Sequence, residues 1–270
     1  MRVICMLVLA MFFFNSCAPR KIIQVPKRAS HVTGTTFYKS AAAFNWKQRD
    51  SAVVAEVLHG DLPGFLKHFV PAKVRIRDSV SRKIHKAKFY VAPDYLSLGT
   101  GKDWARVNIT PMAAQVIADS LNCFLPTRKM VNDIYKAAKV KLEPVPMYAL
   151  RDSTPTMYHH HLIIEGQRKG RKGLIAGILK DVVITSKVTM DPRPNRVAIY
   201  GWHQLNGKPI QPLYSGHVNW YVDYSHGIRL VYRKIKIDHN WMDYIDVLKD
   251  PVLKNLICDE KDCSFYRYPY

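Results

Sequence analysis

Thr110-Pro111-Met112-Ala113-Ala114-Gln115-Val116-Ile117-Ala118-Asp119-Ser120-Leu121-Asn122 is the stretch on which the fold class turns. A threonine that can cap, a proline suited to a first helical turn, and apolar residues at 112, 113, 116, 117 and 121 spell a helix ending near Asn122. A second start follows at Pro126-Thr127. Met130, Val131, Ile134, Tyr135 and Ala138 keep helical spacing, so 111–139 is expected to form two helices joined by a short elbow. Glu143-Pro144-Val145-Pro146 breaks the chain, and a shorter helix is expected from about Pro155 to Gln167.

On both sides of this helical centre the apolar period is two. Lys73-Val74-Arg75-Ile76-Arg77 and Lys86-Ala87-Lys88-Phe89 alternate around a polar turn, which predicts a hairpin with one cationic face. Further strands are expected at 94–98, 180–186, 196–202, 220–224 and 228–237, with Asn206-Gly207 as a tight turn. The expected fold class is therefore α+β, a mixed or antiparallel sheet with a central two-helix insertion, in one domain over 36–270.

At 270 residues and 48% hydrophobic content, the chain can bury a core, which excludes a disordered protein or a disulfide-stapled miniprotein. Its 41 Lys and Arg outnumber 21 Asp and Glu, giving a net charge of +20. Arg2, the apolar run Val3–Phe14 and the following Asn15-Ser16-Cys17 have the layout of a signal peptide over 1–16. Phe14-Asn15-Ser16-Cys17 resembles a bacterial lipobox, which implies lipidation of Cys17 and a membrane-anchored, periplasm-facing product; Phe14 and Asn15 depart from the usual residues. A flexible basic tether is expected over 17–35. Export permits disulfides, and Cys258 and Cys263 are spaced to close a small loop, while Cys123 reads as buried and inert.

Such charge calls for an anionic partner. Export puts nucleic acid out of reach, and no zinc-finger or RNA-recognition motif is present. An anionic envelope polymer or polysaccharide is the expected partner, besides the membrane reached through the N-terminal lipid. Lys73, Arg75 and Arg77 are candidate contacts for it.

Chemistry-bearing residues concentrate between 158 and 229. In Tyr158-His159-His160-His161, a strand would put His159 and His161 on one face, whereas a helix would align His161 with Glu165, half of a metal-binding pattern. His159 and His161 are thus candidate zinc ligands, and no other cofactor is expected. Asp181 interrupts an apolar run and requires a partner if buried. His203 ends the apolar run Val197–His203. Tyr214–Leu230 packs Trp220, Tyr224, His226, Asp223, Ser225 and His217 into a short span, too polar for a plain core and suited to a substrate platform. Alternation would put Trp220, Val222, Tyr224 and His226 on one face. The resulting expectation is a hydrolase of peptidoglycan or a related glycan. His203 or His226 serves as acid or base, Asp223 or Asp181 orients it, Arg229 holds an anionic group, and Trp202, Trp220 and His217 line the site. A polysaccharide lyase using Tyr224, His226 and Arg229, and a non-catalytic glycan binder, are the alternatives.

Ser225-His226-Gly227-Ile228-Arg229 resembles the Ser-His-Gly-Cys-Ile/Val-Arg run of the L,D-transpeptidases, which implies work on peptidoglycan. The nucleophilic Cys is missing, so that family's thioester mechanism does not carry over, and the likeness covers five residues. Asp94-Tyr95-Leu96, Leu125-Pro126-Thr127-Arg128-Lys129, Lys180-Asp181-Val182-Val183, Tyr200-Gly201-Trp202-His203 and Asp223-Tyr224-Ser225-His226-Gly227 together resemble an uncharacterised family of exported microbial proteins, which implies no stated activity.

Overall fold

The structure, a computed structural model, describes residues 20–26 and 31–270. The signal peptide and Cys17 lie outside the described residues. Strands β1 (Arg20–Lys21), β2 (His68–Arg77) and β3 (Ile84–Val91) come first, around helices α1 (Gly34–Ser40) and α2 (Trp46–His59). Then follow β4 (Ser97–Gly99), β5 (Trp104–Arg106), α3 (Pro111–Ser120), β6 (Cys123–Phe124), α4 (Arg128–Ala137), β7 (Val140–Lys141) and α5 (Thr154–Arg168). The last third holds β8 (Ile175–Ala176), β9 (Lys180–Val182), α6 (Lys187–Met190), β10 (Arg196–His203), β11 (Pro209–Val218), β12 (His226–Gly227), β13 (Val231–Tyr232), β14 (Lys234–Ile237), β15 (Asn240–Asp243) and α7 (Tyr244–Lys249).

The architecture is α+β with largely antiparallel sheets. A seven-stranded sheet runs β1-β2-β3-β13-β6, with β14 paired to β3 and β15; a four-stranded sheet runs β11-β10-β9-β12. Helices start where the sequence supplies caps. Thr110 and Thr127 accept from the N–H groups three residues on, Ser153 does the same for α5, and Pro111 occupies the first turn of α3. The elbow between α3 and α4 is itself a strand: β6 pairs with β13, so these helices are stitched into the large sheet rather than inserted as a separate block.

Five expectations are corrected. Residues 20–26 do not form a loose tether, because β1 pairs with β2 and Ile23 is buried in the core. The run 220–224 is not a strand, since the chain turns after β11 and Asp223 folds back to accept from the Ser225 N–H at 2.8 Å, a local bond that competes with sheet pairing. The expected strand at 94–98 shortens to β4, and that at 180–186 to β9. The long strand at 228–237 divides into β13 and β14.

Helices α1 and α2 were not expected. α2 has a capping box of Asn45 and Gln48, but its buried face mixes Val53 and Val57 with Arg49 and Asp50, which blurs the apolar stripe. Asp50 accepts from both the backbone and hydroxyl of Thr110, tying α2 to the start of α3. Cys258 and Cys263 are disulfide-bonded, and Cys123 is buried with its thiol pushed up by burial.

Gly227 lets β12 approach closely: a Cβ there would lie 2.5 Å from the Tyr95 ring and 2.8 Å from Leu179 Cβ. Gly227→Ala is expected to cost about 1–3 kcal/mol in urea unfolding through overpacking. Gly166→Ala, on the exposed side of α5 with nothing near its Cβ, is expected to gain about 0.5–1 kcal/mol from helix propensity. Equal effects at the two glycines would contradict this packing.

Candidate functional site

The site grows from one parallel pairing. β12 lies beside β9 with His226 opposite Lys180 and Gly227 opposite Asp181. Successive strand residues face opposite sides, so Lys180 and Asp181 enter different environments.

On the first side, the side chains of Lys180, His217, Tyr221, Asp223 and His226 gather. The His217 and His226 rings are 5.7 Å apart, and Tyr221 stands 4.8 Å from His217 and 5.9 Å from His226. Asp223 Oδ1 accepts from the Ser225 N–H and hydroxyl and lies 3.8 Å from His226 Nε2. Its Oδ2 accepts from Arg151 at 2.9 Å and faces the Tyr221 hydroxyl at 3.4 Å. Lys180 Nζ sits 5.1 Å from the Trp202 ring centre, and Tyr224 packs between Trp202 and His160. His217 is half-buried and Arg151 exposed, whereas His226 is 1% exposed, so the former two stand at the entrance and the latter lies behind them.

Electrostatics follow from this placement. Burial holds the His226 imidazole well below its usual range against the opposing pull of Asp223, and Lys180 adds to the depression. Burial also lowers His217, again helped by Lys180 and Arg151. Desolvation, the largest single effect, pushes Asp223 up, but His226 when it is protonated, the Ser225 hydrogen bonds and Lys180 together hold it low. Both imidazoles are therefore neutral at neutral pH and able to accept a proton. The buried Nε2 atoms of His160 and His226 and Nε1 of Trp202 have no hydrogen-bond partner within the described protein. β10 reaches the site through a kink: its register with β11 shifts on either side of Ile199, and Gly201 and Trp202 take φ of 107° and 57°. A left-handed Trp costs on the order of 1–3 kcal/mol, and such strain concentrates at sites of function.

On the second side, Asp181 accepts from the Tyr95 hydroxyl at 2.9 Å, and burial raises its carboxyl to about 6. Arg229 lies on the Tyr95 ring at 3.9 Å and donates to the carbonyls of Ala92 and Ile175. Arg229 is 0% exposed. It therefore ties the segment after β3 to β8 and cannot hold a substrate group, and Asp181 does not orient a histidine; both expected roles are corrected. His203 is also elsewhere: its ring stacks on Tyr135 at 4.5 Å and its Nε2 bonds Asn132 Oδ1 at 3.0 Å. Tyr224 receives the Met147 N–H on its hydroxyl at 2.7 Å and is 1% exposed, which puts it out of reach of a uronate chain. Trp220 is 43% exposed in the turn before Asp223.

The helical histidines diverge as a helix requires. His159 is exposed, while His161 Nδ1 faces Arg106, whose guanidinium also binds Glu165 at 2.7 Å. A cation already fills the place between His161 and Glu165, so these residues do not fit zinc. No group of three or more His, Cys, Asp or Glu suited to a metal occurs among the described residues. Lys73, Arg75 and Arg77 lie on the other, seven-stranded sheet. Lys180, Arg151, His160 and Tyr221 are not among the site residues expected from the sequence. The signal for Lys180 was available, a lysine inside an apolar strand; Arg151 and His160 come from distant elements. Comparisons with protein-family models, curated proteins and solved structures find no match.

Burial lowers His160 to about 4, His161 to about 3 and His203 to about 4. Each is neutral when folded and protonates more readily when unfolded, near 6.5, so its stabilising share is complete above pH ~6.5 and is lost as pH falls toward the folded values. Each is worth on the order of 3 kcal/mol. Asp181, raised to about 6, and Asp50 and Glu260, also raised by burial, act in the opposite sense, but His217 and His226 are lowered as well, so five imidazoles stand against three carboxyls. The melting temperature is expected to fall steadily from pH ~6.5 to ~4; a flat profile would contradict these burials.

Proposed function

We propose that the chain is an exported hydrolase of an envelope polymer, peptidoglycan or a related glycan, with His217 as its general base and His226 and Asp223 as the groups that position it. The observation that carries the reading is their approach to 5.7 Å beside Asp223, with Arg151 and Lys180 contributing positive charge. Half-buried His217 stands where a polymer can reach it, and as a neutral imidazole it can take a proton from water attacking the scissile bond. His226 and Asp223 lie behind it and position it. Arg151, exposed at the entrance, suits a carboxylate on the substrate, with Lys180 adding charge below. Because no Cys stands between Gly227 and Ile228, direct attack by water is favoured over a covalent thioester.

The test is release of soluble fragments from peptidoglycan sacculi. Wild-type protein is expected to release them, His217→Ala and Asp223→Asn to slow release about 10²- to 10⁴-fold, and His203→Gln to leave it within a few-fold. No release by the wild type would overturn the hydrolase reading in favour of a non-catalytic binder. Equal losses at His203 and His217 would overturn the assignment of residues.

A further inference from the structure

The outer face of the seven-stranded sheet carries cations in ranks. Lys73, Lys88 and Lys236 lie directly opposite one another across β2, β3 and β14, and Arg75 lies opposite Lys86 in the next rank. Like charges directly opposed destabilise a sheet. Nearby acids do not relieve them: Asp238 pairs with His85 and Lys83, and Asp243 with Arg233 and Lys234. Among the described residues, none of Lys73, Arg75, Arg77, Lys86, Lys88 or Lys236 forms an ion pair. Five of these six cations line a groove of about 640 Å³.

Aromatic and apolar groups border the same face. Trp241 is opposite Lys236, stacks on Tyr90 and is 42% exposed. At the hairpin end, Val80 and Ile84 are 89% and 51% exposed. A cationic plane with an exposed tryptophan and apolar side chains at its margins matches the interface of an anionic bilayer, where basic residues meet head groups and Trp sits at their level.

The lipidation expected at Cys17 decides between the two anionic partners. Arg20, on the edge strand β1, lies 5.4 Å from the Trp241 ring and 6.0 Å from Tyr90. Cys17 is three residues earlier, which allows at most roughly 10 Å of chain. We infer that the outer face of this sheet is a membrane-docking surface that lies on anionic phospholipid. The inference rests on the exported, Cys17-lipidated reading for its choice of membrane over a free polyanion. A lipid on Cys17 would hold the head groups within about 10 Å of Arg20, so the cations would meet phosphate rather than a distant polymer.

Co-sedimentation with lipid vesicles tests the surface apart from both acylation and catalysis, using residues 20–270, which include every packed element described above. Phosphatidylglycerol-containing vesicles are expected to carry the protein down, and pure phosphatidylcholine vesicles to leave it in solution. Lys88→Gln with Lys236→Gln is expected to weaken binding about 30-fold and, by relieving repulsion, to raise the melting temperature, which separates lost binding from lost folding. His217→Ala is expected to bind vesicles as the wild type does, so failure of the hydrolase reading would leave this result unchanged. Equal binding to both vesicle types, or binding to soluble polygalacturonate without binding to phosphatidylglycerol vesicles, would overturn the inference; the latter would assign the face to a polyanionic glycan.

Discussion

The pairing of β9 with β12 is the constraint on which the rest depends. With Lys180 opposite His226 and Asp181 opposite Gly227, one strand sends an amine and a carboxylate to opposite sides of a four-stranded sheet. The carboxylate is absorbed into a closed arrangement with Tyr95 and, nearby at 3.9 Å, Arg229. The amine enters a polar cluster in which His160 Nε2, His226 Nε2 and Trp202 Nε1 lack protein partners among the described residues, against the single Arg229 Nε on the other side. Buried polar groups are ordinarily satisfied, and those that are not call for a functional reason. The asymmetry between the two sides distinguishes a structural network from a candidate site.

Much of this fold was legible in residue order because local chemistry and tertiary packing agree there. The caps Thr110 and Thr127, the alternating cations of β2 and β3 and the Asn206-Gly207 turn all specify their elements. Legibility failed where a polar residue serves packing. Arg49 and Asp50 interrupt the stripe of α2 because they reach Asn108, Thr154 and Thr110. Alternation over 220–226 mimicked a strand, yet Asp223 bonds its own backbone instead of a neighbouring strand.

The site was legible in part. Local order brought Asp223 and His226 together, and the turn after β11 returned His217 to them. Residue type alone did not reveal that Arg229 would lie under Ala92 and Ile175, or that His203 would be held by Asn132 and Tyr135. Those partners come from more than 50 residues away and depend on how the two sheets and α4 meet. The cations of the hairpin were recognised correctly as a face, but the nearness of the chain's first described residues to that face emerges only from the pairing of β1 with β2.

That Lys180, His217 and His226 form one electrostatic unit is the central claim, and histidine-resolved NMR titration of Lys180→Met tests it most directly. Loss of the lysine charge removes a common cause of depression at both imidazoles, so His217 and His226 should both titrate higher than in the wild type while His203, lowered by burial alone, stays unchanged. Movement of His203 with them, or no movement of either His217 or His226, would contradict it.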